Sequence, residues 1–91
     1  MLYVVSYDIS DDRRRTRIAK TLLDFGSRVQ YSVFECILDD DLLRQMRERI
    51  EKIASIEEDR VRIYTMCAKC ERAIALIGRG EITKDKDVYI I

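Results

Sequence analysis

Apolar and polar positions along the chain fall into blocks of alternating strand and helix type. Leu2, Tyr3, Val4 and Val5, continuing through Ser6 to Tyr7, make an apolar, β-branched and aromatic run, the pattern of a strand covered on both faces. Asp8, Ser10, Asp11 and Asp12 supply turn and N-cap chemistry. Ile18, Ala19, Leu22 and Phe25 then recur at helical spacing, which predicts a helix from about Asp12 to Phe25 ended by Gly26. Arg28 to Leu38 reads as extended, either one long bent strand or two short ones. Asp39, Asp40 and Asp41 cap a second helix whose buried stripe is Leu42, Met46, Ile50 and Ile53, with Arg44/Glu48, Arg47/Glu51 and Glu48/Lys52 as exposed i,i+4 pairs. Val61, Ile63 and Tyr64 predict a further strand, Ile74 to Ile77 another ended by Gly78 and Gly80, and Val88 to Ile91 a last one.

With two helices available to cover one face of a sheet, this order fits a ferredoxin-like α/β sandwich. The expected form is βαββαβ with an extra C-terminal strand, rather than a doubly wound sheet. Residues 1–91 read as one domain, with 79–91 as a C-terminal segment whose apolar end needs a sheet edge to join, in its own chain or a second subunit. A chain of 91 residues buries roughly 60 to 70% of its unfolded surface, so a partner subunit is a natural source of extra stability.

Lysine plus arginine and aspartate plus glutamate both count 17, so net charge points to no partner. The balance is uneven along the chain. Arg13 to Gln30 carries net +5, whereas Glu35 to Asp59 carries net −5. A basic block on one element makes a local surface that can meet phosphate; a solvated helix face is the alternative. Arg13, Arg14, Arg15 and Arg17 crowd a helix N-terminus, which prefers anions by about 0.3–1 kcal/mol per charge, so either solvent or an anionic partner must offset the mismatch.

The chain has no histidine, which removes histidine-based acid–base catalysis, Ser/His and Cys/His nucleophile pairs and His-ligated zinc. Carboxylates, arginines, tyrosines or a metal must carry any chemistry. Asp8 follows a hydrophobic strand and precedes a helix, where α/β folds gather ligands, and its carboxylate suits a hard divalent cation; a capping or turn aspartate is the equally weighted alternative. Cys67-Ala68-Lys69-Cys70 has the spacing of half a zinc site or a redox pair. Zinc wants four ligands and only Cys36 remains, so a loop with buried thiols is the expectation and a four-cysteine site shared across a dimer the remote alternative. No signal-peptide pattern opens the chain and no apolar run approaches a membrane span, so a soluble cytoplasmic protein is expected.

Four stretches taken together resemble the CRISPR-associated protein 2 family of the spacer-acquisition machinery. They are Tyr3-Val4-Val5-Ser6-Tyr7-Asp8-Ile9, Asp11-Asp12-Arg13-Arg14, Gly26-Ser27-Arg28-Val29-Gln30-Tyr31-Ser32-Val33-Phe34-Glu35-Cys36 and Asp59-Arg60-Val61-Arg62-Ile63-Tyr64. The resemblance implies a ferredoxin-like homodimer with Mg²⁺ or Mn²⁺ held between the two Asp8 side chains, Asp8 being the catalytic residue of a metal-dependent endonuclease on RNA or double-stranded DNA. It also implies that Arg14, Arg15, Arg17 and Arg28 hold the nucleic-acid backbone while Tyr7, Ser10 and Phe34 shape the site. The family further looks like a bridge between dimers of the CRISPR-associated integrase, so that integrase is an expected partner. The competing readings are a stand-alone toxin-type endoribonuclease of the same fold and a non-catalytic oligomerisation module.

Overall fold

The computed structural model describes residues 1–85. Along the chain lie β1 (Leu2–Asp8), α1 (Asp12–Leu23), β2 (Ser27–Gln30), β3 (Val33–Ile37), α2 (Asp40–Ile53), β4 (Arg60–Met66) and α3 (Ala68–Arg72). The strands make a four-stranded sheet in the order β2-β3-β1-β4, antiparallel at each pairing. This is the expected α+β sandwich, with the most apolar strand at its centre.

Period-two alternation divides β1 between two environments. Tyr3, Val5 and Tyr7 face the helices and join Ile18 and Leu22 of α1, Phe34 and Cys36 of β3, and Met46 and Ile50 of α2 in one core. Each fully buried Leu, Ile, Phe or Met contributes about 1.5–3 kcal/mol relative to exposure. Val4, Ser6 and Asp8 belong to the other face, opposite Tyr64, Arg62 and Arg60 of β4. Among the described residues this face is only partly covered: Val4 and Ser6 are half-buried and Tyr64 is 46% exposed. The expectation of a strand covered on both faces therefore holds for one face.

Asp11 caps α1, accepting from the Arg14 backbone N–H at 2.9 Å, and Asp39 caps α2 through the Leu42 N–H at 2.8 Å. α1 closes where the Gly26 N–H reaches the Leu22 carbonyl at 3.0 Å. Gly26 is demanded by proximity: a Cβ there would lie 2.2 Å from the Glu35 carbonyl oxygen and 2.6 Å from Cys36 Sγ. The extended stretch after it is two short strands with Tyr31 and Ser32 between them and an irregular register between Arg28 and Gln30.

Three expectations need correction. Ile74 to Ile77 is not a strand; α3 precedes it, and it pairs with no strand among the described residues. Gly78 and Gly80 then adopt φ of 103° and 123°, which breaks extension, and Ile77 stands 97% exposed. The i,i+4 pairs drawn along α2 do not form: Arg44 reaches Asp41 at 3.1 Å and Arg49 crosses to Asp24 beside α1 at 2.9 Å. Exposed pairs differ little in energy, so each arginine takes whichever acid its rotamer reaches. Cys67 and Cys70 are exposed rather than buried. The strand expected at Val88 to Ile91 lies outside the described residues. Of the 79–91 segment, 79–85 carries no helix or strand; the Asp85 N–H donates to Glu71 Oε1 at 2.7 Å and its carboxylate pairs with the Met1 ammonium at 2.8 Å.

Candidate nucleic-acid interface and metal site

The strand β1 ends with Tyr7 and Asp8 pointing to opposite sides. Tyr7 is buried against Phe34, their rings stacked with centroids 6.3 Å apart. Its hydroxyl donates to the Tyr31 carbonyl at 3.4 Å and accepts from Arg28 Nη2 at 3.4 Å. The Arg28 guanidinium lies 5.2 Å from the Phe34 ring centroid and 5.9 Å from that of Tyr31. Cation–π contact and hydrogen bonding together hold this exposed-strand arginine in one place.

Arg15 approaches the same region from α1. It donates to the carbonyls of Ile9 at 3.1 Å and Ser10 at 3.4 Å and pairs with Asp12. Asp12, then Tyr31, hold its guanidinium more firmly protonated than usual. The result is a depression of about 300 Å³ lined by Tyr7, Arg15, Lys20, Arg28 and Tyr31 with Thr16, Ala19 and Leu23, and no carboxylate among the lining residues. Three cations beside two phenol rings, in a cavity free of acids, suit a phosphodiester carrying a base. Ser10 contributes through its backbone carbonyl. Phe34, wholly buried, shapes the site from beneath.

Lys20 also lines a second depression of about 380 Å³ with Arg17, Thr21, Arg49, Lys52 and Ile53. Basic character therefore passes from β2 over α1 to α2. Sequence reasoning missed Arg49 and Lys52 because they sit inside the net-acidic block, whose acids helical periodicity sends to another face.

Arg14 is not part of this strip. Its Nε donates to Asp59 Oδ2 at 2.8 Å and its Nη2 to Glu58 Oε2 at 2.9 Å. The Asp59 side chain is wholly inaccessible and also accepts from the Ser55 N–H at 2.8 Å. The hydrogen bond from Arg14, and then that from Ser55, hold its carboxyl below the usual carboxylate range. The electrostatic mismatch at the start of α1 is thus offset inside the molecule by Glu58, Asp59 and Asp12.

Asp8 lies on the other face of the sheet, in register with Arg60 of β4. Its carboxylate is exposed and makes no side-chain hydrogen bond or ion pair among the described residues; the capping role belongs to Asp11. The described residues contain no group of three acid or cysteine side chains arranged to hold an ion. One chain thus offers one free carboxylate at this point. That donor set fits Mg²⁺ or Mn²⁺, which takes one or two carboxylates and fills the remaining positions with water and phosphate.

The family model described as CRISPR associated protein Cas2 matches residues 1–74. The chain belongs to the Cas2 family. It is 47% identical over 93 residues to the CRISPR-associated endoribonuclease Cas2 1 of Chloroflexus aurantiacus, covering 100% of both chains. It is 39% identical over 90 residues to the CRISPR-associated endonuclease Cas2 2 of Thermus thermophilus, covering 99% of this chain and 96% of that one. Its fold is similar to Streptococcus pyogenes Cas2 (TM-score 0.75, 29% identity, 86% of this chain and 100% of that one). A chain of a partial Cas6-RT-Cas1–Cas2 complex is also similar (TM-score 0.73, 29% identity, 84% of this chain and 89% of that one). Tyr7, Asp8, Ser10, Arg14, Arg15, Arg17, Arg28 and Phe34 all fall within the portion that matches the family. Among the described residues, no helix is long and apolar enough to cross a membrane.

Proposed function

We propose that the chain acts in CRISPR adaptation as a homodimeric subunit that binds protospacer duplex beside a Cas1-type integrase, with metal-dependent phosphodiester hydrolysis of RNA or DNA at Asp8 as an accompanying activity. Family membership and the likeness to a chain of a Cas1–Cas2 assembly support the adaptation role. The observation that carries the nucleic-acid reading is the depression lined by Tyr7, Arg15, Lys20, Arg28 and Tyr31 with no carboxylate among its lining residues.

Asp8 and the depression lie on opposite sides of β1. Joining two open sheet faces brings a second Asp8 toward the first and leaves the cationic strip of each chain outward. Two facing carboxylates call for a shared cation. The two Asp8 side chains would hold a divalent ion, which when bound would supply the charge that polarises a phosphodiester and acidifies water. Arg15 and Arg28 hold the backbone phosphates, Arg28 keeping its position through Tyr7 and the Phe34 ring, while Tyr31 offers a face for stacking. Arg17 and Lys20 extend the phosphate track along α1.

Cleavage of labelled single-stranded RNA and double-stranded DNA by wild type and Asp8→Ala, purified identically, with Mg²⁺ or Mn²⁺ and with chelator, tests the hydrolytic part. Cutting only by metal-loaded wild type supports it, with both proteins sedimenting as dimers. Equal cutting by the two proteins, or none by either, leaves the duplex-binding scaffold as the function and overturns the catalytic role of Asp8.

A further inference from the structure

The pair Cys67 and Cys70 has no part in the phosphate surface, and the structure puts it in a setting its sequence spacing alone does not reveal. β4 ends at Met66, and Cys67 is the N-cap of α3, with φ −67° and ψ 163°. Its Sγ accepts from the Cys70 N–H at 3.5 Å, while its carbonyl receives the Glu71 N–H at 2.8 Å and closes the turn. Cap and third helical residue lie on the same side of one turn, so the two thiols face each other. Both are exposed, whereas Cys36, the third thiol of the chain, is wholly buried.

We propose that Cys67 and Cys70 form a redox-active dithiol that exchanges with low-molecular-weight disulfides, Cys67 attacking first and Cys70 resolving. The Cys67 thiolate attacks one sulfur of a disulfide RSSR, forming Cys67–SR and expelling RS⁻. Cys70 then releases its S–H proton to RS⁻, attacks Cys67 Sγ and expels the second RS⁻, which takes a proton from water. The two cysteines are oxidised to one disulfide and RSSR is reduced to two thiols. The roles follow from the turn. Hydrogen bonds from the Cys70 backbone N–H and then the Cys70 side chain stabilise a Cys67 thiolate and hold it below the ordinary thiol range, and the same sulfur keeps Cys70 above that range. The lowered Cys67 supplies the thiolate that attacks, and Cys70, held above the ordinary range, stays protonated until the released RS⁻ takes its proton.

Incubating the intact reduced protein with glutathione disulfide near neutral pH, followed by trypsin and mass spectrometry, tests this. Cleavage after Arg62, Lys69 and Arg72 separates the two cysteines, so an internal disulfide joins the peptides Ile63–Lys69 and Cys70–Arg72. The expected result is that joined pair, with Cys36 still a free thiol. Cys70→Ser should stop with one glutathione on Cys67, and should form it at least about threefold faster than Cys67→Ser forms one on Cys70. Wild type carrying glutathione on both residues with no internal link would overturn the proposal, and equal rates in the two variants would overturn the assigned order.

Discussion

Arg14 and Asp59 meet at 2.8 Å across 45 positions of sequence, tying the first turn of α1 to the residue that precedes β4. One partner is wholly inaccessible, so the pair is a fixed joint in the fold rather than a transient surface contact.

The joint makes stability depend on acid. The Asp59 carboxyl lies below its unfolded value of about 3.9, so its contribution is fully present above that value and is lost as pH falls through the lower folded value. Melting temperatures of wild type and Asp59→Asn should differ by a constant amount between pH 5.5 and 7 and converge below about pH 4. A difference that persists unchanged into acid would show that the carboxylate charge does not matter.

Gly26 sets the path of the chain from α1 into β2. A methyl group there meets backbone oxygen and Cys36 Cα, neither of which can swing away. Gly26→Ala should lose at least roughly 1–3 kcal/mol of unfolding free energy in a urea titration, because the sheet must shift to admit it. Loss under about 0.5 kcal/mol would mean that α1 and β3 are not locked together.

The arginines of α1 should separate by function in duplex binding. Each phosphate contact contributes about one unit to the slope of log affinity against log salt. Arg17→Ala with Arg28→Ala should flatten that slope by about two units, whereas Arg14→Ala should leave it unaltered while lowering the melting temperature. A reduced slope for Arg14→Ala would assign that side chain to the duplex despite its bonds to Glu58 and Asp59.

Much of the architecture is legible from residue order. The run from Leu2 to Tyr7, the stripes of α1 and α2 and the caps at Asp11 and Asp39 announce themselves because they depend on local periodicity and on backbone groups a few residues away. The site is less legible. Arg14 reads as one of a basic cluster, and only the folded chain brings it to Asp59. Arg49 and Lys52 read as members of an acidic block, and only α1 packed beside α2 joins them to Arg17. Ile74 to Ile77 has strand composition, yet a strand exists only with a neighbour, and composition carries no information on where one lies. Cys67 is misread for the same reason, since its character comes from a turn closed by Glu71.

Cys36 sits in the middle of β3, sealed between the sheet and the helices, and burial followed by the charge of Glu35 pushes its thiol up to about 11. It can meet a reagent only when the helices lift from the sheet. The chain thus carries an internal gauge: modification of that one sulfur reports how often helices and sheet come apart.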